Sequence, residues 1–307
     1  MDMVEMTLQK GIRRKERKRN LIAYSFIAPN FIGFAVFTLI PVIYAFVLGF
    51  TKWDGNNPME FVGFQNFTKL FQDRMFLAAL KNTIIYCIGT VPLTMVASLV
   101  LAVVLNQKVK FRGFFRTVSF FPYVASLVAV TSVWNMLFHP TRGPVNWILQ
   151  NVFQVANPPN WFGKDLILLT MILFSVWKYT GYYMVIYLAG LQGISGELYD
   201  AGSLDGAGTW QKFRYITWPQ LHSTTFFVVI MLTITCFKVY DIAIMIAGGG
   251  DGRLGTSSTV LVYYIYQKAF INWDLGYASA VAMVLFALVL TVTLVQFKGE
   301  RVQGKGK

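Results

Sequence analysis

Lys178, Lys238 and Asp241 each lie inside a long apolar run, and that placement makes them the first candidates for chemistry. A charge near the middle of a bilayer costs at least ~2.5–3.5 kcal/mol if it faces lipid. These three are therefore expected to face protein or a water-filled cavity. Trp177, Tyr179, Tyr182 and Tyr183 surround the first of them, and Thr233, Thr235 and Tyr240 accompany the other two. Lys238 and Asp241 are three apart, which on a continuous helix puts them on one face and lets them pair. Two readings stay open. One is a hydrophilic path for a solute, walled by tyrosines and threonines that hydrogen-bond and stack. The other is a structural ion pair plus lysines that snorkel toward the membrane surface.

Patterns for covalent or metal chemistry are weak. His139 and His222 are too far apart in sequence to suggest a metal site, and Cys87 and Cys236 both fall inside apolar runs. Two cysteines so placed read as buried thiols, since a disulfide framework or zinc site needs more of them at recognisable spacing. Gly250-Asp251-Gly252-Arg253-Leu254-Gly255 fits G-x-G-x-x-G, and Thr256 stands where a phosphate loop requires lysine. The preceding run is a membrane-length span instead of a short strand, so this segment reads as a flexible external loop. The chain is expected to hold no catalytic residue, metal or cofactor of its own.

The elements that carry these residues are membrane helices. Hydrophobic residues make up 55% of the chain and charged ones 13%, with a mean hydropathy of +0.52; a soluble domain carries roughly 25% charged residues. Apolar runs cover 21–50, 78–105, 117–138, 166–190, 223–247 and 274–297. Each is long enough to cross a hydrocarbon core of ~30 Å at a rise of ~1.5 Å per residue. The fold class is an all-α integral membrane protein with six transmembrane helices. Segments 1–20, 106–116, 191–222 and 298–307 carry 17 Lys or Arg, whereas 51–77, 139–165 and 248–273 carry 7. That asymmetry predicts both termini cytoplasmic. The net charge of +13 is thus topological bias, and a nucleic-acid partner explains it poorly.

The basic head 1–20 precedes an apolar stretch too long for a cleaved signal peptide, so it reads as the cytoplasmic start of a retained helix that meets anionic lipid. Pro29 and Pro41 predict kinks in that helix. The external segment 51–77 is rich in aromatics (Trp53, Phe61, Phe64, Phe67), which either sit at the headgroup level or cap the outer mouth. Asn66-Phe67-Thr68 matches a glycosylation sequon too short to carry weight. Prolines make 139–165 irregular, with a short helix possible over 145–155. Ala278, Ser279, Ala280 and Ala282 allow close helix approach in the last span. The tail from Lys298 reads as short, basic and loose.

A polar island, 197–219, interrupts this pattern on the cytoplasmic side. Ser195 can cap a helix whose first turns hold Glu197 and Asp200 near the positive end of the macrodipole. Ala201, Gly202 and Ser203 leave one side of that helix nearly bare, which suits close approach by another surface. Gly206 and Gly208 break the helix, Thr209 can cap a second one over 210–215, and Pro219 suits entry to the fifth span. The result is a helical hairpin offering Tyr199, Leu204 and Trp210 as apolar contacts.

This island resembles the cytoplasmic motif of permease subunits in binding-protein-dependent ABC importers, of the form EAA, three residues, Gly, nine residues, Ile-x-Leu-Pro. Asp200-Ala201-Gly202, then Gly206, then Ile216-Thr217-Trp218-Pro219 fall at that spacing. The departures are Asp for Glu, Gly for the second Ala and Trp for Leu. KNTIIYCIGTVPL, FRGFFRTVSFFPYV and SVWKYTGYYMVIYLAGLQ extend the likeness to sugar-type permeases related to the maltose and glycerol-phosphate systems. The resemblance implies the type I ABC importer permease fold over 21–297 in a bacterial or archaeal cytoplasmic membrane. It also implies a second homologous permease subunit, two ATP-binding subunits that bind the ATP and Mg, and an extracytoplasmic sugar-binding protein. It assigns ATPase docking to Glu197, Leu198, Tyr199, Asp200, Ala201, Gly202, Leu204, Asp205, Gly206, Gly208, Trp210, Ile216 and Pro219. By position in the maltose system it points, for solute, to Trp177, Tyr179, Tyr182, Thr235, Cys236 and Val239. Cys236 and Val239 stand where that system has polar groups, and Lys238 and Asp241 are expected to take over part of that role; Lys178 and Tyr183, from the fourth span, complete the candidate path. The expected function is a non-enzymatic permease for a sugar or oligosaccharide. The alternatives are a permease for a polyamine, phosphate or amino acid, and an ion-coupled secondary transporter. The last usually shows internal repeats and more spans.

Overall fold

The computed structural model describes residues 3–107, 109–247 and 255–304. Residues 250–254 of the glycine-rich run lie outside the described residues, as do the side chains of Arg13 and Arg14. α1 (Met3–Phe34) passes through one π turn (Ala35–Leu39) into α2 (Ile40–Leu48). Pro41 has no N–H to continue the α ladder. The turn before it widens, and the Ile40 N–H bonds the Ala35 carbonyl five residues back. The basic head is therefore helical from Met3 and continuous with the first span.

β1 (Thr51–Lys52) pairs antiparallel with β2 (Glu60–Phe61), Thr51 opposite Phe61. α3 (Gln65–Gln72) follows. The Asn66 carboxamide is buried and donates to the Gly49 and Thr51 carbonyls at 3.0 and 2.9 Å. It staples the ribbon to the end of α2, so the sequon is closed to a glycan. Phe50, Phe64 and Phe67 pack on one another at 5.3–5.8 Å.

α4 (Arg74–Asn106) is the central helix. Ala79, Thr83, Thr90, Thr94, Ser98 and Ala102 are fully buried along it, and small side chains on one stripe let a neighbouring helix lie close. The third span, predicted as one helix over 117–138, is two: α5 (Arg112–Val124) and α6 (Leu127–Leu137), bent by 99°. Ala125 and Ser126 leave the helical region with ψ of 149° and 125°. α7 (Pro144–Asn151) is shorter than the predicted 145–155. α8 (Ile167–Gln192) packs on α4 over most of its length.

α9 (Gly196–Leu204), α10 (Thr209–Lys212), a π turn (Phe213–Thr217) and α11 (Trp218–Gln220) form the polar island. α12 (His222–Phe237) leaves it at a 66° bend. The fifth span is not one helix over 223–247, because α12 stops at Phe237 and 238–240 are non-helical before a π turn (Ala243–Ala247). α13 (Leu261–Tyr266), another π turn (Gln267–Ile271) and α14 (Leu275–Gly304) complete the chain. The tail predicted as loose is helical through Gly304.

Among the described residues, three helices are long and apolar enough to cross a membrane alone, and the two bent pairs raise the number to five. α8 has the length, but polar groups around Lys178 interrupt its apolar character. Its buried face joins α4 and α12 in two adjoining cores, one around Tyr86, Phe174 and Cys236 and the other around Tyr187, Met184 and Leu232. A third core, around Leu70, Phe76, Tyr264 and Tyr277, closes the ribbon end.

Candidate functional site

Glycines set the shape of the polar island. Ser195 Oγ accepts the Glu197 N–H at 3.3 Å and caps α9. At the far end the Ala207 N–H donates to the Gly202 carbonyl at 2.8 Å and the Gly206 N–H to the Ser203 carbonyl at 3.2 Å. This is a Schellman stop, and its left-handed residue is Gly206 at φ +74°. Gly208, and not the predicted Thr209, caps α10; its N–H donates to Gln211 Oε1 at 2.7 Å.

Gly202 also departs from expectation. A Cβ there would lie 2.9 Å from Ile216 Cδ1, so the missing side chain lets the two arms close on each other instead of baring an outer face. Tyr199 is half-buried and shares a hydrogen bond with Thr217 Oγ1 at 2.9 Å, while Lys212 Nζ donates to Ser203 Oγ at 2.6 Å. Tyr199 is thus an internal brace and no exposed contact. The outer surface keeps Leu204 and Trp210, 90% and 72% exposed, with Leu198 and Ala201 beside them. Exposed Glu197, Asp200 and Asp205 flank this apolar pair. Pro219 sits in the first turn of α11, where a missing N–H is harmless. The hairpin is thus braced from within and presents an apolar tip with an acidic border.

The second group of candidates divides. Tyr182 stacks on Tyr123 with ring centroids 4.3 Å apart, Tyr179 lies 6.3 Å from the same ring, and Tyr183 meets Tyr182 edge-on at 5.0 Å. Trp177 packs at 5.5 Å from Trp134 and is partly exposed. Thr235 lies beside Tyr183 across the α8–α12 interface. Tyr123 escaped sequence reasoning, because nothing local marks it as the base of a stack. Lys178 is buried and donates through Nζ to the Pro122 and Tyr123 carbonyls at 3.0 and 3.4 Å. Those carbonyls lose their helical partners when α5 stops at Val124, so the ammonium is committed to the break between α5 and α6. Cys236 and Val239 are core residues, and Cys236 lies beside Cys87 with both thiols free. The predicted Lys238–Asp241 pair does not form. Lys238 caps α12, Asp241 begins the next turn, and the non-helical residues between them remove the shared face. Both are exposed, and the one ion pair among the described residues is Lys69–Asp274 at 3.9 Å.

Residues 93–298 match the family described as binding-protein-dependent transport system inner membrane component. The chain belongs to this family. It is 34% identical over 285 residues to the probable ABC transporter permease protein YurN of Bacillus subtilis, across 92% of this chain and 96% of that one. It is 32% identical over 317 residues to NgcF of Streptomyces coelicolor, a diacetylchitobiose uptake system permease protein, across 97% of this chain and 88% of that one. A bacterial ABC transporter involved in the import of the acidic polysaccharide alginate shares the fold, with a TM-score of 0.81 at 23% identity over 94% of this chain and 97% of that one. The permease is thus a helical inner-membrane transport component with the type I ABC importer fold.

At the ribbon end of the permease, Asp73 is a hub that sequence reasoning missed. Its Oδ1 caps α4, accepting from the Met75 and Phe76 N–H groups at 2.9 and 3.4 Å. Its Oδ2 accepts from the Tyr264 hydroxyl and, at 2.8 Å, from Tyr277. The Lys69 and Lys268 ammoniums lie over the Tyr277 ring at 4.8 and 5.3 Å. Burial pushes the Asp73 carboxyl up, but the tyrosine and backbone hydrogen bonds outweigh it and hold the group below the usual carboxylate range. An aspartate before a helix is readable as a cap; its tyrosine partners come from the other end of the chain.

Proposed function

We propose that this permease subunit imports a sugar or oligosaccharide, driven by separate ATPases that bind the ATP and Mg. In this reading it crosses a bacterial or archaeal cytoplasmic membrane six times with both termini inside. It pairs with a second permease of similar fold, two ATP-binding subunits and an extracytoplasmic binding protein. The observation that carries the coupling role is the braced hairpin presenting Leu204 and Trp210 inside a border of carboxylates. ATPase closure displaces the hairpin, and the π turn and α11 pass that displacement to α12, which flanks the tyrosine centre. Membership of the family and the uptake system named for NgcF support import. The stacked Tyr123 and Tyr182 suit a sugar ring, since aromatic faces bind apolar C–H surfaces and tyrosine hydroxyls bind polar ones. With its ammonium held by backbone carbonyls, Lys178 gives no support to an anionic solute.

The test is ATP-dependent uptake of labelled diacetylchitobiose and other oligosaccharides by proteoliposomes holding the full set of subunits. Gly206→Pro forbids the +74° φ and removes an N–H, which should cost ~3 kcal/mol or more locally. The variant should insert normally yet lose ATPase co-purification and uptake. Full uptake by it would refute the coupling role.

A further inference from the structure

A cavity of about 560 Å³ opens at the ribbon end between β1–β2, α3 and the start of α14. We propose that it is an external carbohydrate subsite, distinct from the tyrosine centre; this deepens the sugar-import reading and rests on it.

Two indoles wall the cavity, Trp53 and Trp273. Trp53 is fixed in advance: its Nε1–H donates to the Asn57 carbonyl at 2.9 Å, and its own carbonyl accepts from Leu275 and Gly276 N–H at 3.0 and 3.3 Å. Trp273 takes φ +54°, a left-handed conformation that a bulky residue rarely adopts, and the residue is 58% exposed. The fold thus holds a large apolar ring toward water in a conformation that disfavours it, at the edge of a concave space.

Lys52, Glu60, Gln65 and Asn272 also line the cavity, and among the described residues none of these four side chains has a hydrogen-bond or ion-pair partner. Other polar groups nearby are already used. Asp54 accepts from Asn56 and Asn57 N–H and from the Asn57 carboxamide at 3.0, 2.8 and 2.6 Å. Lys69 pairs with Asp274.

The four unpartnered side chains interleave donors and acceptors of both signs. A pyranose presents an apolar C–H face to an indole and a rim of hydroxyls, each both donor and acceptor. A compact polar pocket with preformed aromatic walls fits that chemistry. A protein hot spot also favours tryptophan, so the choice rests on shape: a concave space of about 560 Å³ lined by polar side chains suits one or two sugar rings. The mixed charge gives no preference for an anion, so the fitting ligand class is a neutral mono- or disaccharide unit.

The test uses the assembled transporter in nanodiscs without its binding protein. Saturation-transfer NMR would read binding of diacetylchitobiose and maltotriose. Trp273→Ala should lower the signal of the responding probe by about 2- to 10-fold, the range for loss of one aromatic contact. Gln65→Leu, on the exposed face of α3, guards against a folding defect at Trp273 and should lower it in the same direction. No signal from either probe, or a signal unchanged in both variants, overturns the subsite. A second titration with the binding protein added completes the test: a loss confined to binding-protein affinity, with the sugar signal unchanged, overturns the subsite and makes the cavity a protein dock. Uptake by wild-type proteoliposomes separates the two levels. Uptake with no cavity signal overturns the subsite alone, whereas absence of any sugar uptake overturns the import reading and the subsite with it.

Discussion

Asp73 offers the sharpest test of how the ribbon end is held. Replacement by alanine removes the N-cap of α4, worth ~1 kcal/mol. It also leaves the Tyr264 and Tyr277 hydroxyls without their acceptor. Each orphaned hydroxyl costs ~1–3 kcal/mol, and because Asp73 itself is half-buried, water can enter the space it vacates, which favours the low end. The sum is about 3 kcal/mol for Asp73→Ala. Asparagine keeps the cap and an acceptor oxygen but loses the charge, so Asp73→Asn should cost about 1 kcal/mol. The difference depends on pH with a definite sign. The folded carboxyl titrates below its ordinary value of 3.8. The stability it supplies is therefore full above that value and lost as the pH falls through the lower folded value. Equilibrium unfolding in mixed micelles, followed by tryptophan fluorescence, should rank wild type above Asn above Ala at pH 7. The gap between wild type and Asn should be flat between pH 5 and 8 and close below about pH 4. A gap that persists unchanged to pH 3, or an alanine cost under about 0.5 kcal/mol, would refute the hub.

Three further outcomes follow from helix contacts. Gly181 lies where α8 crosses α5, and an added Cβ would overlap the Ser119 carbonyl and sit 2.9 Å from Phe120 Cα. Both are backbone, so Gly181→Ala should destabilise by ~3 kcal/mol or more and cut the yield of folded protein; a normal unfolding midpoint would contradict this. Lys178→Met strands two carbonyls but also removes a buried ammonium, so the net loss should be about 1 kcal/mol with the uptake KM unchanged. A shifted KM with intact stability would return Lys178 to the solute path. Tyr182→Ala dismantles the stack on Tyr123 and should raise the uptake KM about 2- to 10-fold while ATPase co-purification persists. Uptake kinetics identical to wild type would remove the tyrosines from the path.

What was legible in the sequence, and what was not, divides by distance along the chain. The extents of α4 and α8 follow from local hydropathy, whereas α14 runs on past its apolar stretch; the turn at Gly206 follows from a glycine between two short polar helices. Gly202 reads locally as a bare patch, yet its role is set by Ile216 on the other arm. The break between Val124 and Leu127 has no glycine at the bend, and Pro122 lies inside α5 before it. Its cost is met from 56 residues away, where Lys178 Nζ reaches the Pro122 carbonyl. Without knowledge of that break, a lysine in an apolar run has no visible partner and points to a solute. With the break in view, the same lysine satisfies carbonyls that the end of α5 leaves without helical partners. Lys238 makes the converse case: its presumed partner Asp241 was read from helical spacing, and the spacing failed because α12 stops at Phe237. In a chain of this kind an intramembrane charge should be weighed against broken-helix carbonyls before it is assigned to transport. By that standard the tyrosine stack, whose aromatic faces no backbone group requires, is the stronger candidate for the solute.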